Sequence, residues 1–436
     1  AALGLGLLSI PTRSLNVSFA GTLAIVVAFA ALTPLATTLL MRVATRPLGR
    51  IWGALGRMAP RNVVTSISRT AVAVAALMVA VSVTIGVSLM IGSFRTTVVT
   101  WLDQVLQGDV YVSAPSRTST QATTPLDPAV LPLVSSWPGV ERVDLLRTAT
   151  VESPAGRVSV FGVYNPDFGD RPFLGSDLSS EEIWAAMQAG AVVVSEPYAN
   201  QVGLPRRGGI VTLYTAEGPR EFPVAGVYYD YVTSSGTISM SLDTYRRHWN
   251  DEALTALALR LAPGANADAV SRQLGDALAP VQRLLVRPNQ ALRDEALVIF
   301  DRTFAITGAL QLLATVVAFV GVLSALLSLL LEKQREVGIL RAVGLTARQL
   351  WGLVMLETGL MGAVAGLLAM PTGLALSLIL IYIINRRSFG WPLQRQIDPP
   401  PFVTALAVAV FAALLAGIYP ARKMSKMLTA EALRYE

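Results

Sequence analysis

The side chains that do most enzymatic chemistry are scarce in this chain. Among 436 residues there is no cysteine, one histidine (His248) and three lysines, Lys333, Lys423 and Lys426. A zinc site of the HExxH type needs two histidines, and thiolate metal, redox or disulfide chemistry needs cysteine. A phosphate-binding GxxxxGK[ST] loop needs a lysine directly after glycine, whereas these three follow Glu332, Arg422 and Ser425. No catalytic set and no metal site is therefore read from the chain, and no ATP site of that type. His248, beside Trp249, reads as a surface histidine. Glu181 and Glu182 read as a solvated helix start, because adjacent residues on a helix do not face each other.

Three other features remain. Glu357 is the one ionisable residue within a long apolar segment, and an intramembrane carboxylate is a functional candidate by default. It lies one or two turns from the end of that segment, where it can equally face the interface or pair with Arg348. Gly362 and Gly366, with Gly359 nearby, form a GxxxG pattern that lets two helices pack closely. The densest cluster runs through Glu332, Lys333, Gln334, Arg335, Glu336, Val337, Gly338, Ile339, Leu340, Arg341, Ala342, Val343, Gly344 and Leu345. Its apolar members Val337, Ile339, Leu340 and Val343 recur at helical spacing, which predicts an amphipathic helix along an interface. Gly338 and Gly344 each cost a helix about 1 kcal/mol relative to alanine. They suit a place where another backbone comes close or where the helix ends. A plain solvated face beside a membrane would carry a similar charge pattern.

The elements that position these residues are membrane spans. The chain is 53% hydrophobic and 15% charged, against about a quarter charged in soluble domains. Residues 303–331 hold no ionisable side chain over 29 positions, which as a helix spans roughly 44 Å, enough to cross a bilayer. Further spans are read at 19–40, with a kink expected at Pro34, at 70–94, at 350–384, with a kink at Pro371, and at 402–420. Buried helices of a large soluble core would need charged loops every dozen residues. Loop arginines set the orientation: residues 41–69 carry Arg42, Arg46, Arg50, Arg57, Arg61 and Arg69 and no acid, so this basic loop and its amphipathic helix are placed in the cytoplasm. Alternation puts 95–302 outside, 332–349 inside, 385–401 outside and the tail 421–436 inside. Only 385–401, with Arg386, Arg387 and Arg395 against Asp398, dissents. Residues 1–18 read as the outer end of a preceding segment, and the chain as the carboxyl-terminal part of a longer protein.

Residues 95–302 have a different composition. They carry 17 arginines and 23 acids, a net charge of −6, while the other 18 basic and six acidic residues leave +12 elsewhere. The basic excess thus sits beside the membrane, where it faces anionic lipid, and is not a nucleic-acid footprint. Short β-rich runs at 110–114, 157–164, 191–195, 209–215, 220–230, 254–262 and 283–288 alternate with helical patterns at 178–190 and 267–280. The expected fold class is an α-helical transmembrane protein of five spans with a large mixed α+β extracytoplasmic domain. From Asn289 the helical pattern continues into the span at 303, either as a stalk roughly 20 Å tall or as a plain connector.

EKQREVGILRAVGLTARQL before a span, YPARKMSKMLTAEALRYE at 419–436 and PRNVVTSISRTAVAVAAL at 60–77 resemble the FtsX-like permeases, the membrane subunits of MacB- and LolCDE-type ABC transporters. VVVSEPYANQVGL and FPVAGVYYDY resemble the second half of that family's outer domain. One span, an outer domain and three spans match the family's four-span unit over about residues 55–436, and residues 1–54 fit a linker span of two-unit members. The resemblance implies a membrane permease in the bacterial cytoplasmic (inner) membrane that is not itself an enzyme. It implies a cytoplasmic ABC ATPase dimer, carrying ATP and Mg, that docks on residues 332–345, and a second permease half or subunit. The outer partner would be a lipoprotein, an adaptor or a hydrolase. Hydrolysis would drive export or extraction of an amphipathic, lipid-like substrate. A transmembrane signalling protein of FtsX type, which activates an outer hydrolase or sensor without transport, is the alternative. An ion-coupled transporter would need more ionisable sites at midplane.

Overall fold

The computed structural model describes residues 2–10, 14–115, 122–174, 178–206, 208–230, 236–332, 339–341, 343–389 and 393–426. They fall into two compact units, a helical one (1–94, 302–388 and 392–436) and one built on 95–301.

Among the described residues, five helices are long and apolar enough to cross a membrane. They are Leu15–Ile51, Ile67–Val105, Asn289–Glu332, Ala347–Ile379 and Pro400–Lys426. Each contains a long apolar run, interrupted by an ionisable side chain only at Glu357, and a helix pairs most of its backbone groups internally, as a bilayer demands. The helical unit's core is made largely of small and flexible residues, among them Met41, Leu77, Met78, Ile85, Met361, Ala365, Ala409 and Ala413. Leu312, Leu313 and Val316 instead point outward, 49–67% exposed, as lipid-facing residues do. The helix Ala347–Ile379 opens on a capping box between Thr346 and Gln349, after Gly344 has ended the preceding turn at φ +105°. It runs unbroken through Pro371, and the irregularity appears later, as a π-helical turn at Leu380–Ile384. Pro34 likewise lies inside a continuous helix.

Short helices among the described residues of this unit include Gly53–Thr65, Ala2–Ser9 and Asn385–Phe389. Gly53–Thr65 follows the first span and turns back on it, with Gly56 seated against the carbonyl of Leu48. Ala2–Ser9 packs on Leu15–Ile51 through Gly4 and Gly21. Arg387 joins that end of the unit: its guanidinium donates to Ser18 Oγ at 2.8 Å, to the Leu8 carbonyl at 2.8 Å and to the Ile10 carbonyl at 2.7 Å. One of the arginines that breaks the charge rule at 385–401 is thus engaged with the carbonyls at a helix end.

The second unit is a ten-stranded mixed sheet: β1 Val110–Ser113, β2 Val140–Ser153, β3 Gly156–Tyr164, β4 Phe173–Leu174, β5 Val192–Ser195, β6 Ile210–Thr215, β7 Gly218–Tyr228, β8 Thr237–Ser241, β9 Ala256–Leu261 and β10 Leu285–Pro288. The order is β10-β1-β9-β2-β3-β8-β5-β7-β4, with β6 paired to β7. Only β3/β8 and β5/β7 run parallel. β2 is the longest, pairing its first half with β9 and its second with β3. It therefore joins two cores, one around Val110, Val112, Leu257, Leu259 and Leu274, the other around Val160, Val194, Leu213 and Ile238. β5 is buried at all four positions, with Val192 and Val194 in one core and Val193 in another on the opposite face. Glu182 closes a capping box with Ser179 at the start of the helix Ser180–Gln188.

His248 is not on the surface. It is 8% exposed, set edge-on to Phe222 at 5.3 Å between ring centroids. Burial and the nearby Arg220 and Arg247 hold its pKa below the usual imidazole value, so it is neutral at pH 7. The helix Leu242–Trp249 is amphipathic and turns its histidine inward while Arg247 stays outside.

Candidate functional site

The apolar run that begins at Thr70 ends at Phe94, but the helix does not. It continues through Arg95 and Asp103 to Val105, and the helix that starts at Asn289 carries Arg293 and Asp301 before its own apolar run. The domain is therefore entered and left by helices, where only the second was expected from sequence. Within the domain unit the two are tied. Arg95 Nε donates to Asp301 Oδ1 at 3.4 Å, and Arg293 pairs with Asp103. Exposed pairs of this kind contribute about 0.2–1 kcal/mol each. The stronger fastening is Asn289, whose side-chain nitrogen donates to the carbonyls of Leu106 and Gly108 at 2.7 Å each. Leu106 directly follows the last helical residue, Val105, and Gly108 lies two positions further on, so the first residue of one helix fastens the segment in which the other ends. Arg293 Nε holds Asn289 Oδ1 at 2.6 Å and fixes the amide's orientation.

The same joint is bonded into the sheet. Asn165 donates to Gln107 Oε1 at 3.2 Å, the Gly108 N–H donates to the Tyr111 hydroxyl at 2.9 Å, and the Leu261 N–H donates to Asp109 Oδ2 at 2.8 Å. Behind them Arg142 bridges Asp144 (2.8 Å) and Asp167 (2.5 Å), and Arg260 also reaches Asp167 at 3.1 Å. The two carboxylates are tuned oppositely. Hydrogen bonding from Arg142 holds Asp167 below the usual carboxylate range, whereas burial pushes Asp144 up. Burial also pushes the Tyr111 hydroxyl up to about 12. Asp167 therefore stabilises the fold above its unfolded pKa of about 4, and that contribution is lost as pH falls through its lower folded value. Asp144 has the opposite sign, since the folded state takes up its proton more readily. Thermal unfolding followed from pH 6 to 2.5 is expected to show a shallower acid limb for Asp167→Asn and a steeper one for Asp144→Asn.

In the helical unit, Glu357 Oε1 accepts a hydrogen bond from Asn62 Nδ2 at 2.7 Å. The carboxylate thus holds the helix Gly53–Thr65 against the helix Ala347–Ile379. Arg348, the partner weighed from sequence, is exposed. A Cβ at Gly362 would lie 2.7 Å from Ala413 Cβ and 2.8 Å from the Ala409 carbonyl. One at Gly366 would lie 2.6 Å from Leu406 Cδ1, and one at Gly359 only 3.3 Å from Leu414 Cδ2. All three face the helix Pro400–Lys426. Gly86 and Gly373 form a second such crossing that was not singled out from sequence; a Cβ on Gly373 would lie 2.6 Å from Ile85 Cβ.

Of the cluster at 332–345, Glu332 ends its helix. Arg335, Glu336, Val337, Gly338 and Ala342 lie outside the described residues. Ile339, Leu340 and Arg341 form a helical turn. Ile339 and Val343 are 51% and 82% exposed, an apolar pair four residues apart. Among the described residues there is no group of His, Cys, Asp or Glu that would hold a metal ion.

Residues 70–277 match the MacB-like periplasmic core domain and residues 308–429 the FtsX-like permease C-terminal family. The chain carries the C-terminal region of the FtsX-like permeases and the MacB-like periplasmic core domain. Over 437 residues, 99% of this FtsX-like chain, it is 44% identical to the uncharacterized ABC transporter permease protein Rv0987 of Mycobacterium tuberculosis. It spans 51% of that relative's length. The macrolide export ATP-binding/permease protein MacB of Syntrophobacter fumaroxidans is 27% identical over 180 residues, 38% of this chain and 24% of that one. The lipoprotein-releasing system transmembrane protein LolC of Haemophilus influenzae is 30% identical over 130 residues, 30% of this chain and 33% of that one. Among solved structures, the periplasmic region of MacB from Actinobacillus actinomycetemcomitans aligns with a TM-score of 0.34 at 12% identity, covering 45% of this chain and 95% of that one.

Proposed function

We propose that this chain is the permease part of an ABC transporter in the bacterial cytoplasmic membrane, with the sheet domain outside. It works with a second permease half, and a cytoplasmic ATPase that holds the ATP and Mg docks on residues 332–345. Hydrolysis there drives the helices Ile67–Val105 and Asn289–Glu332, which carry the motion into the domain. The cargo is an amphipathic, lipid-like molecule exported or extracted from the membrane. The observation that supports this reading best is that both helices outrun their apolar segments and are fastened one to the other by Asn289. A helix end with paired carbonyls and tied side chains moves as a unit with what it is bonded to.

The exposed pair Ile339 and Val343 supports the docking surface, since two exposed apolar side chains four positions apart suit a groove on a partner. Val343→Asp, made in the full protein and purified with its ATPase, is expected to lose at least nine-tenths of the co-purifying ATPase. Membrane insertion, read by protease protection of the sheet domain, stays unchanged. Full retention of the ATPase would exclude docking through Val343. In a reconstituted system, substrate movement without activation of an outer hydrolase separates transport from signalling.

A further inference from the structure

The basic residues after the first span do not spread into solvent at random. Arg42, Arg46, Arg50, Arg57 and Arg61 line one groove of about 790 Å³ between the end of Leu15–Ile51 and the helix Gly53–Thr65, and no carboxylate lines it. Indeed no aspartate or glutamate occurs in the chain before Asp103. Small residues let the two helices close on this groove. A Cβ at Gly49 would lie 2.6 Å from Arg57 Cγ, and Gly56 sits against the Leu48 carbonyl. Five like charges held within one hairpin repel one another, so the arrangement favours an anion between them.

The rest of the groove says which anion. Its floor is apolar, with Met41 buried and Val64 half-buried. On the same helix Leu32, Leu35, Leu39 and Val43 are 55–71% exposed. Arg46 follows Leu39 by seven positions and Arg50 follows Val43 by seven, so each arginine returns to the same helix face roughly 10 Å further along. An apolar stripe that ends on clustered guanidinium groups is the complement of an acyl chain that ends on a phosphate. We infer that this groove binds the phosphate headgroup of an anionic phospholipid whose acyl chains lie along the exposed face of Leu15–Ile51. The site goes beyond the transport reading and does not depend on it.

The test uses the full chain in detergent and native mass spectrometry with two probes, dioleoyl phosphatidylglycerol and dioleoyl phosphatidylcholine, and tripolyphosphate as competitor. The wild-type chain is expected to retain phosphatidylglycerol at least tenfold better than phosphatidylcholine. The combined substitution Arg46→Gln, Arg50→Gln, Arg57→Gln removes the preference, and the same three changes to lysine keep most of it. Arg157→Gln with Arg220→Gln, on exposed strand arginines of the domain, leaves it intact. A glutamine triple variant that still prefers phosphatidylglycerol would overturn the assignment. So would displacement of the lipid by equimolar tripolyphosphate, which would mark a site for a soluble polyanion. Should the triple variant fail to fold, Arg50→Gln alone is expected to weaken the preference three- to tenfold, and an unchanged preference overturns the assignment equally.

Discussion

Gly362→Leu is expected to force the helices Ala347–Ile379 and Pro400–Lys426 apart and to cost the helical unit about 3 kcal/mol, the upper end of the range for overpacking. The first added carbon already conflicts with three atoms of the facing helix, Ala413 Cβ at 2.7 Å, the Ala409 carbonyl at 2.8 Å and Val410 Cα at 2.9 Å. Two of these are backbone, which cannot swing aside as a side-chain tip can. Without hydrophobic drive between helices in lipid, close van der Waals contact at small residues is what holds them together. Lost contact is therefore not offset elsewhere. Gly359→Ala should behave differently. Its Cβ meets only the end of Leu414, at 3.3 Å, and alanine recovers up to about 1 kcal/mol of helix propensity. Unfolding in a detergent and sodium dodecyl sulfate titration, followed by helical circular dichroism, is the measurement. A midpoint for Gly362→Leu within error of wild type would refute the close-packing account.

Asn289→Ala is expected to loosen the joint between the two helices and the sheet by roughly 2–3 kcal/mol and, on the proposed function, to reduce transport at least tenfold while leaving ATPase binding intact. The amide serves two half-buried carbonyls at once, and an unsatisfied buried polar group costs about 1–3 kcal/mol. Arg95→Ala removes an ion pair with Asp301 whose members are 49% and 59% exposed, so it should cost well under 1 kcal/mol. On the proposed function, such a contrast would mark the Asn289 joint as the element that transmits motion. Hydrogen exchange at residues 100–108 reads the loosening directly. Equal protection in wild type and Asn289→Ala would mean that the joint carries no load.

Most of the membrane architecture was legible because it rests on local composition. An uncharged run long enough to span a bilayer has few alternatives, and the GxxxG glycines announced a close crossing. The parts that escaped depend on partners far along the chain. β2 was not recognised because five of its 14 residues, Glu141, Arg142, Asp144, Arg147 and Glu152, are charged. In the folded domain Arg142 and Arg147 meet Asp167 and Asp251, at 2.5 and 2.6 Å, on neighbouring segments. β8 is fully buried yet only five residues long. The first helix was expected to end at Phe94 because hydrophobicity ends there, while its continuation is secured by an asparagine more than 180 positions away. His248 reads from sequence as a surface residue, and its packing against Phe222 shows that the helix turns it inward.

Arg387 also bears on how the protein is made. Its contacts reach back 369 positions to Ser18 and 379 to Leu8. Synthesis proceeds from the amino terminus, so Ala2–Ser9 and Leu15–Ile51 leave the ribosome long before the residue that fastens them exists. Their insertion into the membrane is a co-translational event governed by hydropathy, and their locking is a later one, delayed until the helix Asn385–Phe389, which continues the fourth long helix, has arrived. Truncation before Arg387 would therefore leave an inserted but unfastened pair of helices, open to quality-control proteases.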